Sequence, residues 1–293
     1  MTQSTQKISP LRQRMIDDMQ MRRFTPATQR NYLRAVRDFA AYLKHSPDQA
    51  LAEEIRQYML HLTHTGVSAA SYNACIPALK FFFQTTMDRP EVIMKLRTLP
   101  APQRLPRVLS REEVWRLLEA TTSLKYKAAF SIAYGAGLRI SEVVNLQVRD
   151  IDSQRMLLRV EQGKGRKDRY AQLSPTLLET LRDWWRECKR QRKVLDNGWL
   201  FPGKNPINPL SARQLSRVFK TVAAEADLAP QFSMHSLRHS YATHLLEGKV
   251  DIRIIQTLLG HSKIETTTRY TQVANCILQE VTSPLDTLNP TTG

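Results

Sequence analysis

Apolar residues recur at helical spacing along most of this chain. Behind the cap-and-proline signal Thr25-Pro26, the positions Leu33, Val36, Phe39, Ala40 and Leu43 fall on one face of a helix. Arg30, Arg34, Arg37 and Lys44 fall on another face of the same helix. Helices are predicted over 49–64 and 68–86, the second marked by a core stripe of Tyr72, Ile76, Leu79 and Phe83. No alternating strand pattern appears before residue 150. The capping-box sequence Ser110-Arg-Glu-Glu113 opens another helix. Helical patterns follow at 125–134, ending on Gly135-Ala-Gly137, and at 139–146. The period then changes. Residues 156–162 and 170–173 read as strands around the basic, glycine-bearing turn Gly163-Lys-Gly-Arg-Lys-Asp-Arg169. Helical spacing returns at 175–193, 211–226, 235–247 and 251–259. The predicted fold is mainly α, with one small antiparallel β-sheet.

The segment 97–106 interrupts this pattern with three prolines and no periodicity, as an extended linker does. It predicts two domains, 1–103 and 107–293, as the length of 293 residues also favours. A hydrophobic fraction of 42% is enough for packed cores. No apolar run approaches the roughly 18 residues of a membrane helix. The N-terminal stretch lacks an apolar signal region, which argues against secretion. Cys75, Cys188 and Cys276 are widely spaced, as thiols of a reducing compartment are.

Charge narrows the function. The formal net charge is +16. Residues 1–103 carry 14 Lys/Arg against 8 Asp/Glu, and the remainder carries 29 against 19. Nucleic acid is the commonest partner for such an excess, because neutralised phosphates release condensed counterions. Positive charge on both sides of a linker suits a clamp around a duplex.

Four segments then acquire chemical meaning. In Gly137-Leu-Arg-Ile-Ser-Glu142, Arg139 begins a predicted helix, where free N–H groups favour anions, and its guanidinium adds a bidentate fork for phosphate. Glu142, three residues on, shares its face and can orient it. In the basic turn, Lys164, Arg166, Lys167 and Arg169 compete to place a cation beside a leaving oxygen. In His235-Ser-Leu-Arg-His239, His235 and Arg238 share a helix face and can serve one phosphate. Zinc on His235 and His239 is disfavoured, since Ser236 stands where a metalloprotease helix needs Glu. Fourth, Leu258-Leu-Gly-His261 is followed nine residues later by Tyr270. No carboxylate cluster for magnesium is apparent, and no cofactor is expected.

The ordered series GLRISE, GKGRKDR, HSLRH, LGH and RY resembles that of the tyrosine recombinase (phage integrase) family, over nearly the whole chain. In layout the chain is most similar to Xer-type recombinases and transposon-borne integrases. The resemblance implies a helical, SAM-like core-binding domain followed by a mostly helical catalytic domain. It implies phosphate-binding roles for Arg139 and Arg238, a general-acid role for Lys164, active-site roles for His235 and His261, a supporting role for Glu142, and Tyr270 as nucleophile. Arg30, Arg34, Arg37, Lys44, Arg166, Lys167 and Arg169 are expected to contact DNA. The implied reaction is site-specific cutting and rejoining of double-stranded DNA through a 3′-phosphotyrosyl link, without metal or ATP. A type IB topoisomerase-like nicking enzyme and a non-catalytic DNA-binding regulator are the alternatives. The implied assembly is a tetrameric synapse on DNA, of this chain alone or with a paralogous recombinase. Val273, Ile277, Leu278 and Val281 form a stripe that docks either on a neighbour or on its own domain. The expected location is the cytoplasm, on the bacterial nucleoid when DNA is bound.

Overall fold

The computed structural model describes residues 8–100, 105–161, 168–191 and 198–260. Two compact units divide the chain, Met1–Gln103 and Arg104–Gly293.

The first unit is helical: α1 (Pro10–Met21), α2 (Pro26–Leu43), α3 (Ala52–His64) and α4 (Ala69–Phe81). Helix α1 has no counterpart among the predicted elements. Its apolar positions are few, and only Met15 and Met19 are buried. It is fixed instead by a serine cap, with the Ser9 hydroxyl accepting from the Arg12 N–H. Helix α2 starts at the predicted cap, Thr25. It stops one residue short of Lys44, which caps it with φ 62° and so leaves the helical face on which it was expected. The predicted helix 68–86 is α-helical to Phe81 and then widens into a π turn, Phe82–Thr86. The core of this unit is aromatic: Phe39, Tyr58, Phe82 and Phe83 are buried together with Met15, Met19 and Leu79.

The second unit contains α5 (Arg111–Ala120), α6 (Leu124–Gly135), α7 (Ile140–Val144), α8 (Pro175–Arg190), α9 (Ala212–Glu225), α10 (Met234–Glu247) and α11 (Ile252–Leu259). Its sheet is antiparallel with three strands in the order β1 (Ile151–Asp152), β2 (Leu157–Val160), β3 (Arg169–Gln172). Strand β1 is too short to leave a periodic trace. Leu158 pairs with Ala171 and Val160 with Arg169. Leu158, Val160 and Ala171 are buried, whereas Tyr170 is exposed, so one face of the sheet packs inward. Helix α6, with Ala128, Ala129, Phe130, Ile132 and Ala133 fully buried, is central to the main core. A smaller apolar cluster joins α10 to α11 through Tyr241, Ala242, Leu246, Ile255 and Leu259. Two hydrogen bonds of one hydroxyl seat α10. The Ser240 hydroxyl accepts from the Leu109 N–H at 2.8 Å and donates to the Ser236 carbonyl. No helix among the described residues is long and apolar enough to cross a membrane.

Candidate active site

Glu142 organises the site. It lies on α7 with its side chain 5% exposed. One carboxylate oxygen accepts from the Arg139 guanidinium at 2.7 Å, and the other accepts from the Arg139 backbone N–H at 2.8 Å. The second oxygen also accepts from Arg169 Nη2 at 2.8 Å and lies 3.6 Å from Arg238 Nη1. Three guanidiniums, from the start of α7, from β3 and from α10, thus surround one buried carboxylate. The formal charge of this group is +2. Burial of charge is tolerated only when paired. Among the described residues one carboxylate faces three guanidiniums, and the surplus positive charge favours an added anion.

Helix α7 differs from its prediction. It has five residues rather than the expected eight over 139–146. So short a helix has little macrodipole, and the positive potential comes from the arginines instead. Gly137 precedes it with φ 63°. A Cβ there would lie 2.4 Å from the Tyr241 ring, so the tight turn and the close approach both require glycine.

Arg238 is fully buried, at 1%. Nη1 donates to the Gly137 carbonyl and Nη2 to the Leu259 carbonyl, both at 2.6 Å. These bonds tie α10 to the turn before α7 and to the end of α11, and they fix the guanidinium plane. Arg139 is the more accessible arginine, its side chain 20% exposed.

His235 sits in the first turn of α10, with its ring 4.4 Å from that of His239, edge to face. The ring keeps contact with solvent, yet the protein packed around it lowers the imidazole pKa, as do the Arg238 and Arg139 charges. The neutral imidazole is favoured as a result. A histidine depressed in the folded state is protonated first in the unfolded chain, so its contribution removes stability as pH falls below the ordinary value of about 6.5. An NMR titration is expected to give His235 a midpoint below 6.5 that rises in Arg139→Gln. A midpoint at or above 6.5 would contradict the burial and the guanidinium charges that lower this imidazole.

Arg169, expected in the basic turn, stands in the first position of β3. Strand alternation puts it on the same face as Ala171, and its side chain is 12% exposed. Burial lowers its pKa, with Glu142 opposing. Sequence spacing alone gives no sign of its bond to Glu142. Lys164, Arg166, Lys167, His261 and Tyr270 lie outside the described residues.

In the first unit, Arg30, Arg34 and Arg37 are exposed on α2. With Arg12 they rim a cavity of about 730 Å³ whose floor includes Leu11, Met15, Leu33 and Phe82. Arg37 pairs with its neighbour Asp38 at 2.9 Å, an exposed contact of small energetic value.

The phage integrase family profile matches residues 107–275, and that of the phage integrase N-terminal SAM-like domain matches residues 11–91. A Sinorhizobium fredii chain, y4qK, an integrase/recombinase by name alone, is 43% identical over 283 residues, covering 96% of this chain and 90% of its own. Tyrosine recombinase XerA of Pyrococcus horikoshii is 36% identical over 229 residues, 78% of each chain. The fold is similar to that of the XerH site-specific recombinase bound to its palindromic difH substrate, with a TM-score of 0.71, 22% identity, and coverage of 94% of this chain and 84% of that one. The ordered motifs, the arginine cluster around Glu142 and these matches agree, and the chain belongs to the phage integrase family of tyrosine recombinases.

Proposed function

We propose that this chain is a site-specific recombinase that cleaves and rejoins double-stranded DNA through a 3′-phosphotyrosyl intermediate on Tyr270. The observation that carries the reading is the convergence of Arg139 and Arg238 on one buried carboxylate, with His235 close enough to feel both charges. Residues 1–103 serve as the core-binding domain and 107–293 as the catalytic domain.

In the proposed step the Tyr270 phenol gives up its proton, with neutral His235 or water available to take it, and its oxygen attacks the scissile phosphorus. The bond to the 5′ oxygen breaks, and Lys164 protonates that oxygen. Arg139 and Arg238 stabilise the charge gathering on the non-bridging oxygens, the role preorganised donors fill most effectively. His261 completes the set. One ester replaces another, so ATP is not consumed, and cationic side chains neutralise charge that a metal handles elsewhere. A hydroxyl from a second strand reverses the step, which joins new partners. That exchange requires several protomers, and a tetrameric synapse of this chain, alone or with a paralogue, satisfies it. Arg30, Arg34, Arg37, Lys44, Arg166 and Lys167 hold the duplex backbone. In this state Arg238 is covered, so engagement of DNA opens the site over it.

The test has two stages. DNA covalently trapped on the chain in cells is sequenced to define the site, and a nicked duplex bearing that site is offered to purified protein. A covalent adduct that is lost in Tyr270→Phe, by more than about 1,000-fold, is the expected result for removal of a nucleophile. An adduct that persists in Tyr270→Phe, or none from the native chain, overturns the reading.

A further inference from the structure

We propose that Arg169 is a positioning residue of the cleavage site, acting as a brace between Glu142 and the end of α11 rather than as a DNA contact or a proton donor. This inference rests on the strand-transfer reading above.

Three observations converge on it. Strand alternation turns Arg169 inward with Ala171, and Nη2 donates to Glu142 at 2.8 Å. The middle of the side chain crosses Gly260, where an added Cβ would lie 2.6 Å from Cδ and 2.7 Å from Nε. Gly260 itself has φ 62°, the left-handed end of α11, so the glycine serves both the helix stop and the crossing. Finally, Nη1 is buried with no hydrogen-bond partner among the described residues. An orphaned buried donor is costly, and its retention points to a geometric constraint on the rest of the group.

The brace has a definite consequence. Residue 261, which follows Gly260 directly, is a proposed active-site histidine. Arg238 holds the preceding carbonyl, that of Leu259, while Arg169 lies across Gly260 itself. Both guanidiniums address the same Glu142 carboxylate that orients Arg139. Arg169 therefore couples the segment entering His261 to the phosphate-binding arginines.

A direct phosphate contact, a bare charge and a brace give different results. Arg169→Lys and Arg169→Met are measured for affinity to the trapped-site duplex, for salt dependence and for single-turnover adduct formation. A brace predicts adduct formation slower by about 100-fold in both variants, as expected for misplaced reacting groups. Affinity stays within about threefold and the salt slope is unchanged. Lysine fails because a single ammonium cannot bond Glu142 while laying a planar group across Gly260. Gly260→Ala slows the native chain but adds little in Arg169→Ala, where the crossing group is gone. Thermal melts identify folded variants, and Arg169→Met retains bulk should Arg169→Ala fail to fold. Full rescue by lysine, weakened binding with a salt slope smaller by about one, or additive effects with Gly260→Ala would each overturn the brace. If the native chain gives no adduct, the strand-transfer reading falls first. If it gives one and the Arg169 variants match it, only the brace falls.

Discussion

Glu142→Ala is expected to destabilise the second unit by about 3–5 kcal/mol, the range seen when one partner of a buried ion pair is removed. Among the described residues its carboxylate is the one acid paired with these three guanidiniums, and its side chain is 5% exposed. Without it Arg139, Arg169 and Arg238 repel one another in poorly solvated surroundings, and the Arg139 backbone N–H loses its acceptor. For a unit of this size the melting temperature falls by roughly 2–4 °C per kcal/mol, so a drop of about 6–20 °C is expected. Glu142→Gln keeps an acceptor but not the charge and falls between the two. The double variant Glu142→Ala with Arg169→Met recovers part of the loss, since one unpaired cation leaves with it. Calorimetry of these chains is decisive: a Glu142→Ala melt within about 1 °C of the native value would show that the arginines do not depend on this carboxylate. In the same variant, adduct formation falls by at least about 100-fold even at temperatures where the chain remains folded, because Arg139 loses its orientation.

Much of this site is legible in the sequence, for physical reasons that also explain what stays hidden there. Glu142 and Arg139 are three apart on a helical pattern, and such pairs meet whatever the tertiary fold. Arg238 is legible as a phosphate ligand only through the ordered motifs. Its bonds to Gly137 and Leu259 join residues 101 and 21 positions away, which no local periodicity encodes. Arg169 illustrates how sensitive a strand boundary is. Starting β3 at residue 170 leaves Arg169 in a basic turn, whereas starting it at 169 turns the side chain inward toward Glu142. Helix α1 leaves no clear pattern because its stability derives from a cap and two buried methionines rather than a continuous apolar stripe. Strand β1, at two residues, is below the length at which alternation can be recognised. Helix α7 is overestimated for the opposite reason: Val143, Val144 and Leu146 are all buried, so apolar residues continue past the point where the backbone leaves the helix at Asn145.

Gly137→Ala is expected to cost about 2–5 kcal/mol and to impair cleavage with it. Two effects add. A non-glycine residue at φ 63° carries about 1–2 kcal/mol of left-handed strain. The new methyl would also stand 2.4 and 2.6 Å from Tyr241 ring carbons and 3.2 Å from Leu259. Tyr241 and Leu259 belong to the small cluster joining α10 to α11, so the ring cannot withdraw freely, and forced overpacking of this kind costs about 1–3 kcal/mol. Gly66 supplies the internal control, since it has φ 71° and open space for 4 Å around the point a Cβ would occupy. Gly66→Ala should therefore show the strain alone, about 1–2 kcal/mol. Urea unfolding of both variants separates the two effects, and equal losses would mean that the Tyr241 contact contributes nothing. The functional effect follows from the carbonyl of Gly137, which accepts from Arg238 at 2.6 Å. Displacing that turn moves the acceptor that orients the buried guanidinium and shifts Arg139 two residues later. Adduct formation should then fall by more than the loss of folded protein explains. A Gly137→Ala chain that is destabilised yet cleaves at the native rate per folded molecule would show that Arg238 does not take its orientation from this turn.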